Sequence, residues 1–124
     1  VSVESARPFR FGVSVFGAGS RDEWRAKARR VESAGFDVLL AADHLVDGML
    51  SPFTAMTVAA EATEHLRVGI LVLNNDFRHP VVVARETATA ALLTGGRVEL
   101  GLGAGHMKHE YDSVGLTFDP PAVR

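Results

Sequence analysis

Four short apolar runs divide the chain at regular intervals: Phe9 to Phe16, Phe36 to Ala42, Leu66 to Leu73, and Arg97 to Gly103. Between them the apolar positions recur at helical spacing. The segment opened by Ser20 carries Trp24, Ala28 and Val31 on one stripe. Glu23, three residues after Ser20, completes a capping box, and Gly35 supplies the helix stop. Ser51 and Pro52 form an N-cap and first-turn pair, and Phe53, Met56, Thr57 and Ala60 form the inner face of a second helix. A third helix runs from about Pro80 to Leu93, with Ala84, Ala88, Ala91 and Leu92 as its inner face. One short helix falls within Ala104 to Val114, and Asp119-Pro120-Pro121 breaks regular structure.

The pattern is β-α-β-α-β-α-β. The second run is almost continuously apolar, as suits a strand covered on both faces. Helical crossovers of this kind are right-handed and join parallel strands. Two architectures satisfy it: an open doubly wound sheet, or part of a (β/α)₈ barrel. In both, ligands bind at the carboxyl ends of the strands. The residues there are Gly17-Ala18-Gly19, Asp43-His44, Asn74-Asn75-Asp76 and Ala104-Gly105-His106. Three of these four ends carry titratable or hydrogen-bonding side chains, whereas the strands are nearly all apolar.

Each residue has a plain reading beside its chemical one. His44 can act as general acid or base, because histidine titrates near neutrality, or it can cap its own loop. Asp43 can orient His44 or hold a cofactor ring, or close the strand-loop junction. Asn74 and Asn75 can donate to a ring carbonyl, though asparagine pairs are also common in turns. Gly101, Gly103 and Gly105 allow a ligand or a neighbouring backbone to approach closely. His106, His109 and Glu110 lie in H-M-K-H-E, which lacks the spacing and third ligand of a zinc motif, so no metal is expected. His65 falls at the stability end of a barrel strand. His79 precedes Pro80 at a loop-helix junction and is open to either role.

Composition narrows the classes. A chain of 124 residues with 47% hydrophobic and 23% charged residues can bury one core. A net charge of −2 gives no basis for binding nucleic acid or an anionic membrane. Arg25, Lys27, Arg29 and Arg30 lie largely off the apolar stripe of their helix and read as a solvated face. No cysteine is present, which excludes disulfides and thiolate chemistry. No run reaches about 20 apolar residues, and Val1 to Arg10 lacks the apolar core of a signal peptide, so a soluble cytoplasmic protein is expected. The dinucleotide fingerprint G-x-G-x-x-G fails at Gly17, Gly101 and Gly103, because Asp22, His106 and Lys108 occupy its last position.

A-A-D-H-L after the second run, L-V-L-N-N-D-F-R-H-P after the third and T-G-G-R-V-E-L-G-L-G-A-G-H at the fourth resemble the luciferase-like monooxygenase superfamily, in its F420-dependent oxidoreductase branch. The tail from Glu110-Tyr111 through Gly115-Leu116 to Pro120-Pro121 is similar as well. The resemblance implies a (β/α)₈ TIM-barrel fold, with the deazaflavin F420, or alternatively FMN, at the carboxyl mouth. It implies hydride transfer on a small-molecule substrate, His44 as acid or base, and Asp43 at the cofactor. The cofactor ring would pack on Ile70, Leu71 and Val72, where the family often has a non-proline cis peptide. Asn74, Asn75, Gly105 and His106 complete the implied cofactor surface. Some F420-dependent relatives have a glutamate where this chain has His106.

Such a barrel needs about 250 residues, so the chain reads as a single domain, residues 1–124, equal to the N-terminal half of one: a half-barrel of about four βα units. It is then a fragment, a natural half that pairs with itself or a second half-barrel, or a relative that keeps structure without catalysis. Beside the oxidoreductase stand two other readings. One is a non-catalytic half-barrel subunit for binding or assembly, and the other is a small doubly wound nucleotide-binding domain.

Overall fold

The computed structural model describes residues 9–124. The signal-peptide reading of the first ten residues therefore lies mostly outside the described part. The element order is β1 (Gly12–Ser14), α1 (Arg21–Ser33), β2 (Val38–Ala41), α2 (Pro52–Glu61), β3 (Arg67–Asn74), a 3₁₀ turn (Asn75–Phe77), α3 (Pro80–Leu93), β4 (Val98–Gly103) and α4 (Lys108–Val114). All strands pair in parallel, in the order β1-β2-β3-β4. That order decides between the two architectures. A doubly wound sheet reverses direction at a switch point, whereas a barrel adds each strand beside the last. The four strands form an arc of the barrel kind.

The register places Leu39 beside Val68, and Ile70 beside both Ala41 and Leu100. These residues meet Trp24 and Ala28 from α1 and Ala55, Met56, Ala59 and Ala60 from α2 in one buried core. Burial of each large apolar side chain contributes about 1.5–3 kcal/mol. The Trp24 indole is buried with its polar edge satisfied, because Nε1 donates to the Ala55 carbonyl at 2.8 Å.

The helix starts are built by different means. Ser20 Oγ accepts from the Glu23 amide, as the capping box predicts, but Glu23 reaches back to the amide of Gly19 instead of that of Ser20. Ser51 occupies the N-cap of α2 without a side-chain capping bond, and Pro52 in the first turn leaves one fewer amide to satisfy. His79 caps α3, its ring nitrogen accepting from the Val81 amide.

Two predicted helix faces are corrected. In α2, Ala55 and Ala59 are buried, while Phe53 and Thr57 are only half-buried. In α3, Val83 and Ala90 are buried, whereas Ala84, Ala88 and Leu92 are exposed. The reason is that α3 is apolar around most of its circumference, so its own spacing does not select a face. Its alanine flank borders an open groove with Leu100 and Leu102 on β4, the last strand of the arc.

The amino-terminal strand ends are tied by ion pairs. Arg10 and Arg67 both bind the Glu99 carboxylate. Glu32 Oε1 accepts from the amides of Glu64, His65 and Leu66 at 3.0, 2.7 and 2.9 Å. The Arg97 guanidinium donates to the carbonyls of Ala60, Thr63, Leu66 and Thr94. His65 belongs to this end, as expected, contributing its amide while its ring is exposed.

Candidate functional site

At the opposite ends of the strands, a cavity of about 280 Å³ is bounded by Asp43, His44, Leu71, Val72, Asn74, Gly103, Ala104, Gly105, His106 and Glu110. The β2-α2 and β4-α4 loops, the carboxyl ends of β3 and β4 and the first turn of α4 converge there. The strand-end polar residues therefore do come together across the chain. They fall into two groups: side chains consumed by the scaffold, and side chains left facing the cavity.

Asp43 belongs to the first group. It is buried, and its carboxylate takes both branches of the Arg78 guanidinium at 2.5 and 3.1 Å and the Asn74 amide at 3.0 Å. A buried carboxylate needs such compensation, and a bidentate arginine supplies it with fixed geometry. Asp43 reaches the cavity wall with its oxygens already engaged. Asn74 is likewise buried. Its Oδ1 accepts from the Asp76 amide, and its side chain lies 3.2 Å from the Tyr111 hydroxyl. Tyr111, wholly buried, also lies 3.0 Å from an Asp76 carboxylate oxygen and from the Ala104 carbonyl. Phe77 and Phe118 pack against its ring.

The glycines serve this scaffold. Gly105 has φ of 70°, and a Cβ there would fall 2.1 Å from the Tyr111 hydroxyl oxygen. At Gly103 a Cβ would fall 2.5 Å from Val72. The close neighbours at Gly103 and Gly105 are side chains, of Val72 and of Tyr111 and Asn74, in place of the neighbouring backbone expected there.

The second group is smaller. His44 is half-buried, and its Nδ1 lies 3.1 and 3.2 Å from the two oxygens of Glu110. Glu110 is itself buried and also accepts from the Leu45 amide at 2.9 Å. The His106 ring stands edge-on to His44, with centroids 5.7 Å apart. Leu71 and Val72 are joined by a non-proline cis peptide, within the stretch where the family resemblance places one. The β3-β4 register shifts between Ile70 and Leu73, and Leu71 and Val72 emerge 55% and 42% exposed. That is an apolar surface left open beside the histidines.

Two expected cofactor contacts are not brought to this place. Ile70 is 2% exposed and belongs to the core; the register irregularity between Ile70 and Leu73 breaks the alternation of the strand, so Val72 and Asn74 reach the cavity while Ile70 does not. Asn75 starts the 3₁₀ turn and borders the α3-β4 groove instead. Two further residues join the site that the sequence patterns do not single out for it: Arg78, within the N-N-D-F-R-H-P string, and Glu110, within H-M-K-H-E. Helical phase is the signal that separates Glu110 from its neighbours. In α4, Glu110 and Tyr111 face inward, and His109 is exposed.

Known proteins are similar to this chain in sequence and in fold. The chain is 37% identical over 90 residues to an F420-dependent glucose-6-phosphate dehydrogenase of Amycolatopsis mediterranei, an alignment covering 67% of this chain and 27% of that protein. It is 32% identical over 100 residues to 4-hydroxyprotoasukamycin monooxygenase of Streptomyces nodosus subsp. asukaensis, covering 78% and 26%. The fold matches the coenzyme F420-dependent tetrahydromethanopterin reductase of Methanopyrus kandleri, with a TM-score of 0.77 and 28% identity, over 88% of this chain and 30% of that one. It also matches the fold of the oxygenating constituent of 3,6-diketocamphane monooxygenase from Pseudomonas putida, solved with FMN, with a TM-score of 0.76 and 19% identity, over 88% and 33%. The chain thus spans about a quarter of the length of these curated relatives. The luciferase-like monooxygenase family is matched across residues 6–124, and the chain belongs to it.

Proposed function

We propose that this chain forms part of an F420- or flavin-dependent oxidoreductase that transfers hydride at the carboxyl mouth of a barrel, with F420 as the first choice of cofactor and FMN as the alternative. The observation that carries the reading is the juxtaposition of His44 with the open apolar pair Leu71-Val72 in one cavity. Flat aromatic ligands are held by apolar surface with a few fixed polar groups, and this cavity offers both. Its volume of about 280 Å³ suits the ring portion of such a cofactor. The phosphate-bearing remainder would be held elsewhere in a longer protein.

When bound, the deazaflavin supplies a carbon that accepts or donates hydride. Leu71 and Val72 would support the ring face. His44 would hold or release a proton at Nε2, for which no protein partner exists among the described residues. Positioned acid-base groups of this kind contribute about 100- to 10,000-fold to rate. Asp43 would act from behind, fixing the β2-α2 junction through Arg78 and the Asn74 amide. His106, exposed beside His44, borders the same space. The substrate is a small molecule.

Titrating the chain with F420, and in parallel with FMN, tests the reading through the change in cofactor absorbance or fluorescence. Saturable binding that weakens in Leu71→Asp supports it, and binding of neither cofactor counts against it. A second reading, a half-barrel subunit that assembles with another half-barrel, is favoured by the uncovered α3 flank and the open edge of β4. It expects a dimer in size-exclusion chromatography with light scattering; a cooperatively folding monomer opposes it.

A further inference from the structure

We propose that Glu110 is the positioning residue of this site: it holds the His44 ring in the Nδ1-protonated form, so that Nε2 is the nitrogen offered to the cavity. The inference rests on the proposed role of His44 for its purpose, but its physical content stands apart from any cofactor.

Glu110 comes from α4 and His44 from the β2-α2 loop, 66 positions apart in the chain. Glu110 is 2% exposed. Its two oxygens bracket Nδ1 at 3.1 and 3.2 Å, and Oε1 also receives the Leu45 amide at 2.9 Å. An ionised carboxylate only accepts hydrogen bonds. A neutral imidazole carries its proton on one nitrogen, and the bond made by the other side of the ring selects which one. Bracketed by carboxylate oxygens, Nδ1 must be the donor, whether the ring is neutral or charged. The Leu45 amide fixes the carboxylate from the adjacent residue of the same loop, so loop and ring are aligned by one group. A carboxylate that touches only a histidine's far edge acts on the reaction through that histidine.

The test is the ¹⁵N spectrum of the histidine rings in the full chain, recorded at about pH 9, where free imidazoles are neutral. His44 is assigned by the signal lost in His44→Gln. The expected result is a protonated Nδ1 and an unprotonated Nε2. A His44 ring protonated at Nε2 alone overturns the proposal, whatever the variants do. In Glu110→Gln, the amide keeps an acceptor for Leu45 and places a donor near Nδ1. The Nδ1-protonated population should therefore fall to a mixture while the remaining backbone signals stay in place. An unchanged tautomer in a folded Glu110→Leu, which leaves Nδ1 no acceptor at this position, also overturns it. Failure to bind F420 or FMN would refute the proposed function and leave this result intact.

Discussion

The two ends of the sheet are both rich in charge, yet they are finished differently. At the amino end, Glu99 is shared by Arg10 and Arg67, Glu32 collects three amides, and Arg97 collects four carbonyls. Every one of these groups is matched to protein. At the carboxyl end the buried groups, Asp43, Asn74, Tyr111 and Glu110, are matched just as fully. What differs is the remainder: one edge of His44, the exposed His106 and the open pair Leu71-Val72 around a cavity. A polar network by itself marks neither end as functional. The surplus beyond structural need is what the proposed function draws on.

Removing the surplus should affect chemistry and spare the fold. In the proposed oxidoreductase, His44→Ala is expected to lower turnover by roughly 100- to 10,000-fold. Its thermal midpoint should fall by less than that of Arg78→Ala, since the ring is half-buried and its partner Glu110 keeps the Leu45 amide. Steady-state kinetics with a melting curve checks both halves. Equal loss of stability and turnover would erase the distinction between the ends.

Breaking the carboxyl-end scaffold should do the reverse. Arg78→Ala leaves the Asp43 carboxylate, with its side chain 3% exposed, without its cation. Deleting one partner of a buried pair costs about 3–5 kcal/mol. Urea denaturation measures this, and a loss below about 1 kcal/mol would place Asp43 in wetter surroundings than its burial implies. Gly105→Ala should follow: about 1–2 kcal/mol for left-handed backbone, and a further 1–3 kcal/mol for crowding Tyr111.

How much of this was legible in the sequence follows from the range of each signal. Local signals were readable. Helix α3 runs over the predicted residues Pro80–Leu93, the strand runs sit where expected with ends trimmed, except that β3 runs one residue further, through Asn74, and Asp43 and His44 fall at a strand end. The barrel order needed either the pairing or the family resemblance, because hydrophobic period alone is the same in both parallel architectures. The partners of the site were not legible. Arg78 meets Asp43 across 35 positions and Glu110 meets His44 across 66, and no local pattern encodes such meetings. The failed face of α3 has a different cause: where nearly every side is apolar, burial is decided by which neighbours are present.

The amino end offers the smallest and most specific prediction, through acid. Glu99 is held below the ordinary glutamate value of 4.5, chiefly by its hydrogen bond from Arg10, with burial opposing and Arg67 assisting. Burial works against ionisation of Glu32 too, but the His65, Leu66 and Glu64 amides outweigh it and hold that carboxyl below 4.5. A carboxyl depressed in the folded state binds fewer protons there than in the unfolded chain. Its contribution is therefore complete above pH 4.5 and disappears as pH falls through the folded-state values. Glu32→Ala removes the acceptor of three amides and should cost about 1–3 kcal/mol at neutral pH. Between pH 4.5 and about 3 the variant should lose stability less steeply than the parent, because one proton-linked group is gone. Urea midpoints across that window compare the two slopes. Parallel slopes would mean that the amides around Glu32 hold a carboxyl whose ionisation the fold does not use.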